Sequence, residues 1–531
     1  MKARTHHQAI RFICSAEESA MKRLAILALF TLPTILSCQK GVSVEEAVAS
    51  ITPEEFLRKI EIIAHDSMLG RDNPSPGLDM TATWVADEFR RYGLRPGGDR
   101  GSFIQAYRMR EIAGDFDGSW ARVVEGENLS FGSDLSFMRP AGGGEVTAGV
   151  VVLAGDLMAA RDFPTEQVQG MHVIIVPEAG SVAAAPRGRV RFPPGLMAAE
   201  PGSVIFLDRS SDEDWAAAVE RAREQRVTLG PWDDGSGFPM LNGRESSLAP
   251  VLAAHGVDLA RLPRGEAGRV VVQEVPGLEI TLATAVREVG GFDLPNTVGI
   301  LEGSDPVLKN EFILFSAHMD HVGVGRPNEA GDSIYNGADD NASGTIAVVE
   351  LAEAFAMLRE RPRRSFIFLA VSGEERGLWG SRFFAENPPV PLGQVVAGLN
   401  ADMISRNAPD SVVVIGKDHS DLGETMNRVN VAQPELRMTA ADDIWPEQNF
   451  YRRSDHFNFA RRGVPVLFFF TGVHEDYHRP TDTVDRVNPD KASRIIRLMF
   501  HLGMEVANAP DRPQWNPDSY AEIVDMGGVG R

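Results

Sequence analysis

A series of continuous apolar runs between residues 278 and 508 constrains the fold of this 531-residue chain more than any other feature. Six runs have the length and composition of buried strands, at 296–301, 312–317, 366–371, 395–399, 412–415 and 464–470. Helical patterns occupy 343–358 and 378–386, and a third, 491–506, follows the last strand. Apolar strands that alternate with helices predict an α/β fold with a mixed, mostly parallel sheet sandwiched by helices.

Metal-competent side chains follow four of these strands. They are His318 and Asp320, Glu374 and Glu375, Asp402, and His478 in the loop after the last strand. Ligands bind beyond the carboxyl ends of the strands in open α/β sheets, so we expect these side chains to meet at one rim. Asp340, in a loop with flanking glycines before a helix, is a candidate to bridge two cations.

Five segments, SAHMDHVG, NGADDNASG, SGEERGLWGS, NADMI and YHRPTDT, occur in this order. Together they resemble the co-catalytic (two-zinc) aminopeptidase family, which includes secreted bacterial leucyl aminopeptidases, glutamate carboxypeptidase and glutaminyl cyclases. The resemblance covers about residues 50–110 and 280–505. It implies the zinc exopeptidase fold, peptide substrates and two Zn²⁺ per chain. One zinc would be held by His318 and Asp402, the other by Glu375 and His478, with Asp340 bridging both.

The resemblance also implies roles for residues that do not bind metal. Glu374 would be the general base that takes a proton from the attacking water, and Tyr477 would donate a hydrogen bond to the developing oxyanion. Asp320 would accept the free ring N–H of His318 and fix its tautomer.

Four further residues were weighed as site candidates. Asp455 and His456 are candidates for substrate contact, with a helix cap as the alternative. His321 has no counterpart in the family pattern, which favours a supporting or surface position. His474, although four residues before His478, lies in a loop by composition and is not expected to be a ligand.

Composition changes along the chain and suggests its domains. Residues 44–139 and 278–508 are expected to form the catalytic domain, and 509–531 a C-terminal tail. Residues 140–277, with short apolar runs between glycine- and proline-rich breaks, are expected to form an inserted strand-rich α/β domain. Its position and character resemble the protease-associated domain.

The first 38 residues read as a signal segment. A basic start at Met21, the expected true start, precedes an apolar stretch, 24–36, that is short for a membrane span. Cys38 ends a sequence resembling a lipoprotein signal box, which predicts export and a lipid anchor at the cell envelope, periplasmic or on the outer membrane. A cleaved signal with an incidental cysteine is the alternative. Since Cys14 is the only other cysteine, a Cys-ligated zinc site is excluded.

The net charge of −21 excludes nucleic acid as a partner, because phosphate binding requires a cationic surface. Hydrolysis from the amino end of peptides is the expected activity. Two alternatives remain open: a glutaminyl cyclase with a similar zinc site, and an envelope binding protein without catalysis. The sequence gives no indication of oligomeric state, and membrane contact is expected only through the anchor.

Overall fold

A computed structural model of the chain describes residues 41–124, 126–138, 144–155, 163–176, 195–196, 199–229, 238–262 and 270–525. The expected signal segment, with Met21 and Cys38, lies outside these residues. Within the described ranges, no helix is both long enough and apolar enough to cross a membrane.

Strands are numbered here in chain order over the described residues. They are β1 Arg95–Pro96, β2 Ile104–Gly114, β3 Trp120–Val123, β4 Asn128–Ser130, β5 Leu135–Phe137, β6 Gly144–Gly155, β7 His172–Ile175, β8 Ser203–Asp208, β9 Arg226–Thr228, β10 Met240–Arg244, β11 Val270–Thr284, β12 Val286–Leu301, β13 Phe312–His318, β14 Gly323–Val324, β15 Ile334–Tyr335, β16 Ser365–Val371, β17 Val395–Ala401, β18 Ser411–Ile415, β19 Thr439–Ala441 and β20 Val466–Phe470.

The α-helices of the same residues are numbered likewise. They are α1 Val44–Ser50, α2 Pro53–Ile63, α3 Pro76–Arg91, α4 Thr165–Val168, α5 Asp212–Arg223, α6 Glu245–Ala254, α7 Gly344–Met357, α8 Trp379–Glu386, α9 Leu422–Ala432, α10 His456–Ala460, α11 Pro489–Asn508 and α12 Pro517–Tyr520. Several helices begin with a capping side chain followed by a proline. Before α2, for example, the hydroxyl oxygen of Thr52 accepts a hydrogen bond from the backbone N–H of Glu55.

The main sheet has the strand order β19-β18-β20-β17-β13-β16-β12-β2-β9, with β1 paired to β12. Its four central strands, β20, β17, β13 and β16, are parallel to one another. The strands that flank them, β12 and β18, run antiparallel. The predicted mixed sheet is therefore confirmed, with its parallel part at the centre. Strand β20 begins two residues later than predicted, at Val466.

Both faces of this sheet are covered. Ile313, Phe315 and Ala317 of β13 pack into the core shared with α2, α3, α7 and α11. Phe312 and Leu314, which alternate with them, pack into a second core with α8 and α10. This alternation explains why β13 is apolar at every position from 312 to 315, since neither face meets solvent.

The part of the chain that follows β2 and precedes β12 in the sequence forms a second sheet, of order β4-β3-β11-β6-β7-β8-β10-β5. The chain enters and leaves it at neighbouring points, because the backbone N–H of Asp115 donates to the carbonyl of Ala285 over 3.0 Å. Alternate side chains of β6 and β8 pack on opposite faces, with α5 and α6 on one of them.

The second sheet is larger than the insert expected at 140–277. Strands β3 and β4 pair with each other and β3 pairs with β11, so the sheet begins at Trp120 and ends at Thr284. Residues 120–137, which are expected in the catalytic domain, therefore contribute strands to the second sheet. Strand β9 crosses back and pairs with β2, which places it at the edge of the main sheet.

The expected tail, 509–531, is part of the main core as far as it is described. Trp515 and Ile523 pack into the core on the α8 and α10 face. The indole N–H of Trp515 donates to the carbonyl of Gly463 over 2.9 Å. The tail therefore belongs to the domain that it follows.

Candidate metal centre

The four parallel strands deliver the predicted site residues to one rim of the sheet. Strand β13 ends at His318 itself, and β17 ends one residue before Asp402. Glu374 and Glu375 follow the end of β16 by three and four residues, and His478 lies in the loop after β20. Because these strands are parallel, their carboxyl ends coincide and the five side chains come together.

One group of potential ligands consists of His318, Asp340 and Asp402, all buried. The Nε2 atom of His318 lies 3.3 Å from Oδ1 of Asp402 and 3.5 Å from Oδ1 of Asp340. The second carboxylate oxygen of Asp402 accepts a hydrogen bond from Ser454 over 2.8 Å, which leaves Oδ1 facing the group.

A second group consists of His321, Asp340, Glu375 and His478. The Nε2 atom of His478 lies 3.1 Å from Oδ2 of Asp340 and 3.1 Å from Oε2 of Glu375. Asp340 is thus common to both groups, and its two oxygens face different groups. This is the arrangement expected of a carboxylate that bridges two cations.

The position of Asp340 is set by the backbone around it. Its N–H donates to Oδ2 of Asp482 over 3.0 Å, and the N–H of Asp339 donates to the same carboxylate over 3.1 Å. Asp339 turns the other way, and its Oδ1 accepts from the backbone and hydroxyl of Ser405. His474 pairs with Asp339 over 3.2 Å and belongs to neither ligand group.

The donor set fits zinc by atom type and by spacing. Imidazole nitrogens and carboxylate oxygens are zinc ligands, and bonds of about 2.0–2.1 Å place the ligands of one tetrahedral zinc roughly 3.3 Å apart. Several of these atoms are buried without a hydrogen-bond partner, namely Asp340 Oδ2, Glu375 Oε1, His478 Nε2 and both nitrogens of His321. Buried polar atoms are rarely left unpaired, so these atoms fit ligands of a cation.

The electrostatic field at the site favours positive charge. Burial alone would lower the pKa of His318, but the charges of Asp402 and Glu374 raise it well above its ordinary value. Burial would likewise lower the pKa of His478, yet the adjoining carboxylates of Asp340 and Glu375 raise it to about 10. A field that favours a protonated imidazole at both positions also favours a divalent cation between the carboxylates.

The pKa values of the two adjacent glutamates, Glu374 and Glu375, are shifted in opposite directions. Burial, together with the carboxylates of Glu375 and Asp455, raises the pKa of Glu374 well above its ordinary value. Burial opposes ionisation of Glu375 too, but the neighbouring His321 and His478 hold its pKa well below the ordinary value. Neighbouring carboxyl groups with divergent pKa values suit an acid–base group beside a permanent anion.

Glu374 faces a cavity that also exposes the first ligand group. The lining residues are His318, Asp340, Glu374, Asp402, Met403, Phe450, Arg453, Ser454, Phe468, Phe470, Val473 and Tyr477. Burial and the nearby carboxylates raise the pKa of Tyr477, whose hydroxyl therefore remains a hydrogen-bond donor. Its ring stacks on that of His478 with centroids 3.9 Å apart.

Asp320 occupies a different role from the expected one. The ring Nδ1 of His318 lies 3.2 Å from the backbone oxygen of Asp320 and 3.8 Å from its carboxylate. The carboxylate instead accepts from Asn73 over 2.6 Å and from the backbone N–H groups of Glu374 and Glu375 over 3.3 Å each. Asp320 therefore orients His318 through its main chain and the two glutamates through its side chain.

Asp455 and His456 do not line the cavity, contrary to the expected substrate contact. Both are fully buried, and the His456 ring stacks on Phe468 with centroids 4.5 Å apart. Their neighbours Arg453 and Ser454 face the cavity instead. The side chains of one short segment point to opposite sides, and sequence alone does not tell which side meets the cavity.

Sequence reasoning missed His321. It is fully buried and belongs to the second ligand group, although nothing in the family pattern assigns it a role. Its position three residues after His318, in the loop that follows a central strand, is the signal that could have identified it.

Comparison with known proteins agrees with this geometry. Residues 296–503 match the family model described as "Peptidase family M28". A "Probable leucine aminopeptidase" of Arthroderma otae is 26% identical over 212 residues, which cover 38% of this chain and 56% of that protein. A "Probable zinc metalloprotease" of Pyricularia oryzae is 26% identical over 281 residues, covering 44% of this chain and 55% of that protein. The chain thus spans little more than half the length of these two curated relatives.

A longer alignment joins the chain to an "Aminopeptidase" of Pseudomonas aeruginosa, 25% identical over 473 residues, 82% of this chain and 76% of that protein. Among solved structures, an aminopeptidase from Aneurinibacillus sp. strain AM-1 is 17% identical, with a TM-score of 0.46, covering 90% of this chain and 98% of that one. The family match contains all five predicted ligands and both ligand groups. The segment that carries the metal centre, residues 296–503, is thus the segment that is similar to peptidase family M28.

Proposed function

We propose that this protein is a zinc-dependent aminopeptidase with two zinc ions per chain. The observation that carries the proposal is the position of Asp340, whose two oxygens face separate ligand groups beside the cavity that Glu374 lines. Bound zinc ions at such a centre polarise a scissile carbonyl and make water a nucleophile at neutral pH. His318, Asp340 and Asp402 would hold one ion, and Asp340, Glu375 and His478 the other.

The surrounding side chains supply the rest of the chemistry. Glu374 would accept a proton from the attacking water and pass it to the leaving amine, since its carboxylate faces the cavity and burial raises its pKa above that of an ordinary glutamate. Tyr477 would donate its hydroxyl hydrogen to the developing oxyanion. Asp320 would hold Glu374 and Glu375 at fixed positions through their backbone N–H groups.

The lining of the cavity supports an apolar residue at the amino terminus of the substrate. Five of the lining residues are apolar, namely Met403, Phe450, Phe468, Phe470 and Val473. The carboxylates that also line the cavity would attract a terminal ammonium group. The names of the similar proteins, which include a probable leucine aminopeptidase, agree with cleavage from the amino end of the peptide.

Hydrolysis of a panel of aminoacyl-arylamides tests the proposal. We expect release of arylamine from leucyl and phenylalanyl substrates, no release from their N-acetyl counterparts, loss of activity with a chelator and recovery with zinc. Metal analysis of the active protein should give two zinc ions per chain. Cleavage of acetylated peptides would show that the direction of attack is wrong.

The same assay separates the alternatives left open by the sequence. A glutaminyl cyclase would convert a peptide that begins with glutamine by loss of ammonia, without shortening it, which mass spectrometry detects. A binding protein without catalysis would leave every substrate of the panel intact while still holding metal. Either result would replace the aminopeptidase assignment.

We also propose that the protein is exported and anchored at the cell envelope through a lipid on Cys38. The basic start at Met21, the apolar stretch 24–36 and the residues before Cys38 support this. Labelling with radioactive palmitate should mark the wild type but not Cys38→Ala, and Cys38→Ala alone should move to the soluble fraction. Equal labelling of the two proteins would refute the anchor.

A further inference from the structure

His321 is a buried titratable group at the rim for which the proposed function gives no role. It follows β13 by three residues, and none of its surface is exposed. Its ring lies edge-on to that of His478, with centroids 5.5 Å apart. The two imidazoles thus approach the carboxylates of Asp340 and Glu375 from adjacent directions.

The distances around His321 resemble those around the predicted ligand His478. Its Nδ1 atom lies 2.8 Å from Oε1 of Glu375 and 3.7 Å from Oδ2 of Asp340. Neither ring nitrogen of His321 completes a directed hydrogen bond with any described residue, and the same holds for Nε2 of His478. Glu375 presents one oxygen to each imidazole, Oε1 to His321 and Oε2 to His478.

If His321 only oriented Glu375, its Nδ1–H would donate a hydrogen bond to Oε1 of Glu375. Both atoms would then have a hydrogen-bond partner. Here Oε1 of Glu375, Oδ2 of Asp340 and Nδ1 of His321 are all buried without a well-directed hydrogen bond, although Nδ1 and Oε1 lie only 2.8 Å apart. One ligand atom from each of His321, Asp340, Glu375 and His478 lies within 4.8 Å of the others. A cation among them satisfies all four at once, which a single proton on His321 does not.

We propose that His321 is a fourth protein ligand of the metal held by Asp340, Glu375 and His478, an inference that rests on the proposed two-metal centre. Among the residues that the structure describes, the other group consists of His318, Asp340 and Asp402 alone. The two sites are then unequal. Four protein ligands are typical of closed zinc sites, and three of sites that keep a position open for water or substrate. The four-ligand site should therefore fill first, and the three-ligand site should be the one that receives the substrate.

X-ray absorption spectroscopy at the zinc edge, on the full-length protein, tests this without reference to activity. After removal of all metal and addition of one equivalent of zinc, we expect two imidazoles per zinc. With two equivalents we expect three imidazoles shared by two ions. One imidazole per zinc at either loading would overturn the proposal, and would leave His321 as a residue that only orients Glu375.

Variants supply an independent measurement. His321→Gln keeps an amide that can donate to Glu375 but is a poor zinc ligand, and circular dichroism will establish that it folds. We expect one imidazole at the first equivalent, and a loss of affinity for that zinc above the roughly 10–100-fold that loss of an outer hydrogen-bonding partner costs. His474→Gln is the matched control and should keep two imidazoles, because the His474 side chain is 1% exposed and belongs to neither ligand group.

The spectroscopic result and the proposed function can fail separately. A protein with the expected imidazole counts that cleaves no aminoacyl-arylamide would refute the aminopeptidase assignment and leave His321 as a ligand. An active aminopeptidase whose His321→Gln variant has unchanged zinc affinity and an unchanged imidazole count would refute the ligand assignment alone.

Discussion

Glu374 is the residue on which the proposed chemistry depends most. Its carboxylate lines the cavity beside His318, Asp340 and Asp402, while its neighbour Glu375 belongs to the second ligand group. The backbone of each is held by Asp320. The local turn thus separates two chemically identical side chains into a group that can exchange protons and a group that stays ionised.

Replacement of Glu374 by glutamine should abolish turnover without removing metal. An amide of the same shape cannot accept the proton, and general acid–base groups contribute typically about 10²–10⁴-fold to rate. We expect kcat on leucyl-arylamide to fall by at least two orders of magnitude while zinc content stays at the wild-type value. Steady-state kinetics and metal analysis measure the two quantities.

The exposed Glu447→Gln is the control for this experiment and should change neither quantity. Turnover of Glu374→Gln near that of wild type would mean that another group accepts the proton. Loss of zinc along with activity would place Glu374 among the ligands instead.

At the residue scale, the sequence predicts which side chains meet but not how they contact. His318 and Asp402 adjoin the ends of strands whose apolar runs are unmistakable, so their convergence follows from sheet geometry. Asn73 comes from a loop 247 positions before its partner Asp320, and nothing in either segment indicates that contact. The hydroxyl of Ser454 likewise donates to Asp402, 52 positions earlier, and nothing in the sequence around either residue indicates that contact. Such contacts depend on loop conformation, which has no periodic signature in the sequence.

Arg71 connects three elements around the rim. Its fully buried guanidinium donates to four backbone carbonyls, those of Ile63, Met319, Asn336 and Gly337, over 2.6–2.9 Å. Arg71→Met would leave these oxygens buried without donors, which costs about 1–3 kcal/mol for each unsatisfied group. We therefore expect the free energy of unfolding, measured by urea denaturation, to fall by at least about 3 kcal/mol.

Arg71→Lys should recover only part of this stability, because one ammonium group does not reproduce the planar fork of the guanidinium. The control is Arg108→Met, which removes an exposed ion pair with Asp293 and should change stability by less than about 1 kcal/mol. A similar effect of Arg71→Met and Arg108→Met would show that the carbonyls near Arg71 find other donors.

Helices α2 and α7 are joined by a buried charge cluster that should make stability depend on pH. Lys59 Nζ lies 2.6 Å from Glu350 and 2.6 Å from Glu353, and burial raises the pKa of Glu350 to about 7. A raised folded-state pKa means that the folded protein binds this proton more tightly than the unfolded chain. The resulting stability is fully present below the unfolded pKa of roughly 4.3 and is lost as pH rises through about 7.

Glu350→Gln removes this titration. We expect the variant to gain stability relative to wild type between pH 5 and 8, by an amount on the order of 3 kcal/mol. Urea denaturation at intervals of pH measures the difference. The exposed Glu447→Gln, which lies outside this charge cluster, is the control and should follow the wild-type profile. Parallel pH profiles for Glu350→Gln and wild type would mean that Lys59 keeps Glu350 ionised throughout.

At the scale of the whole molecule, the sequence predicts the architecture better than its boundaries. The parallel centre of the main sheet follows from strands that are apolar on both faces, whereas β3, β4 and β5 are too short to give a pattern. Strands β3 and β5 join the second sheet by pairing with β11 and β10, which lie more than 100 residues later, and β4 joins it by pairing with β3. Long-range pairing of short strands leaves no local trace, so the insert boundary was misplaced by about 20 residues at its start.

Metal binding should stabilise the whole fold, because the ligands come from segments between residues 318 and 478 that meet only in the folded chain. A ligand that binds only the folded state adds about 2.7 kcal/mol at 100 times its Kd. Without it, the buried carboxylates of both groups repel one another. We expect chelation to lower the thermal midpoint of unfolding and zinc to restore it.

Asp340→Asn should lose most of this zinc-dependent rise in the thermal midpoint, because one carboxylate oxygen of Asp340 faces each ligand group. The exposed Asp511→Asn is the control and should keep the rise. A zinc-dependent rise of equal size in wild type and Asp340→Asn would place the stabilising metal elsewhere on the molecule.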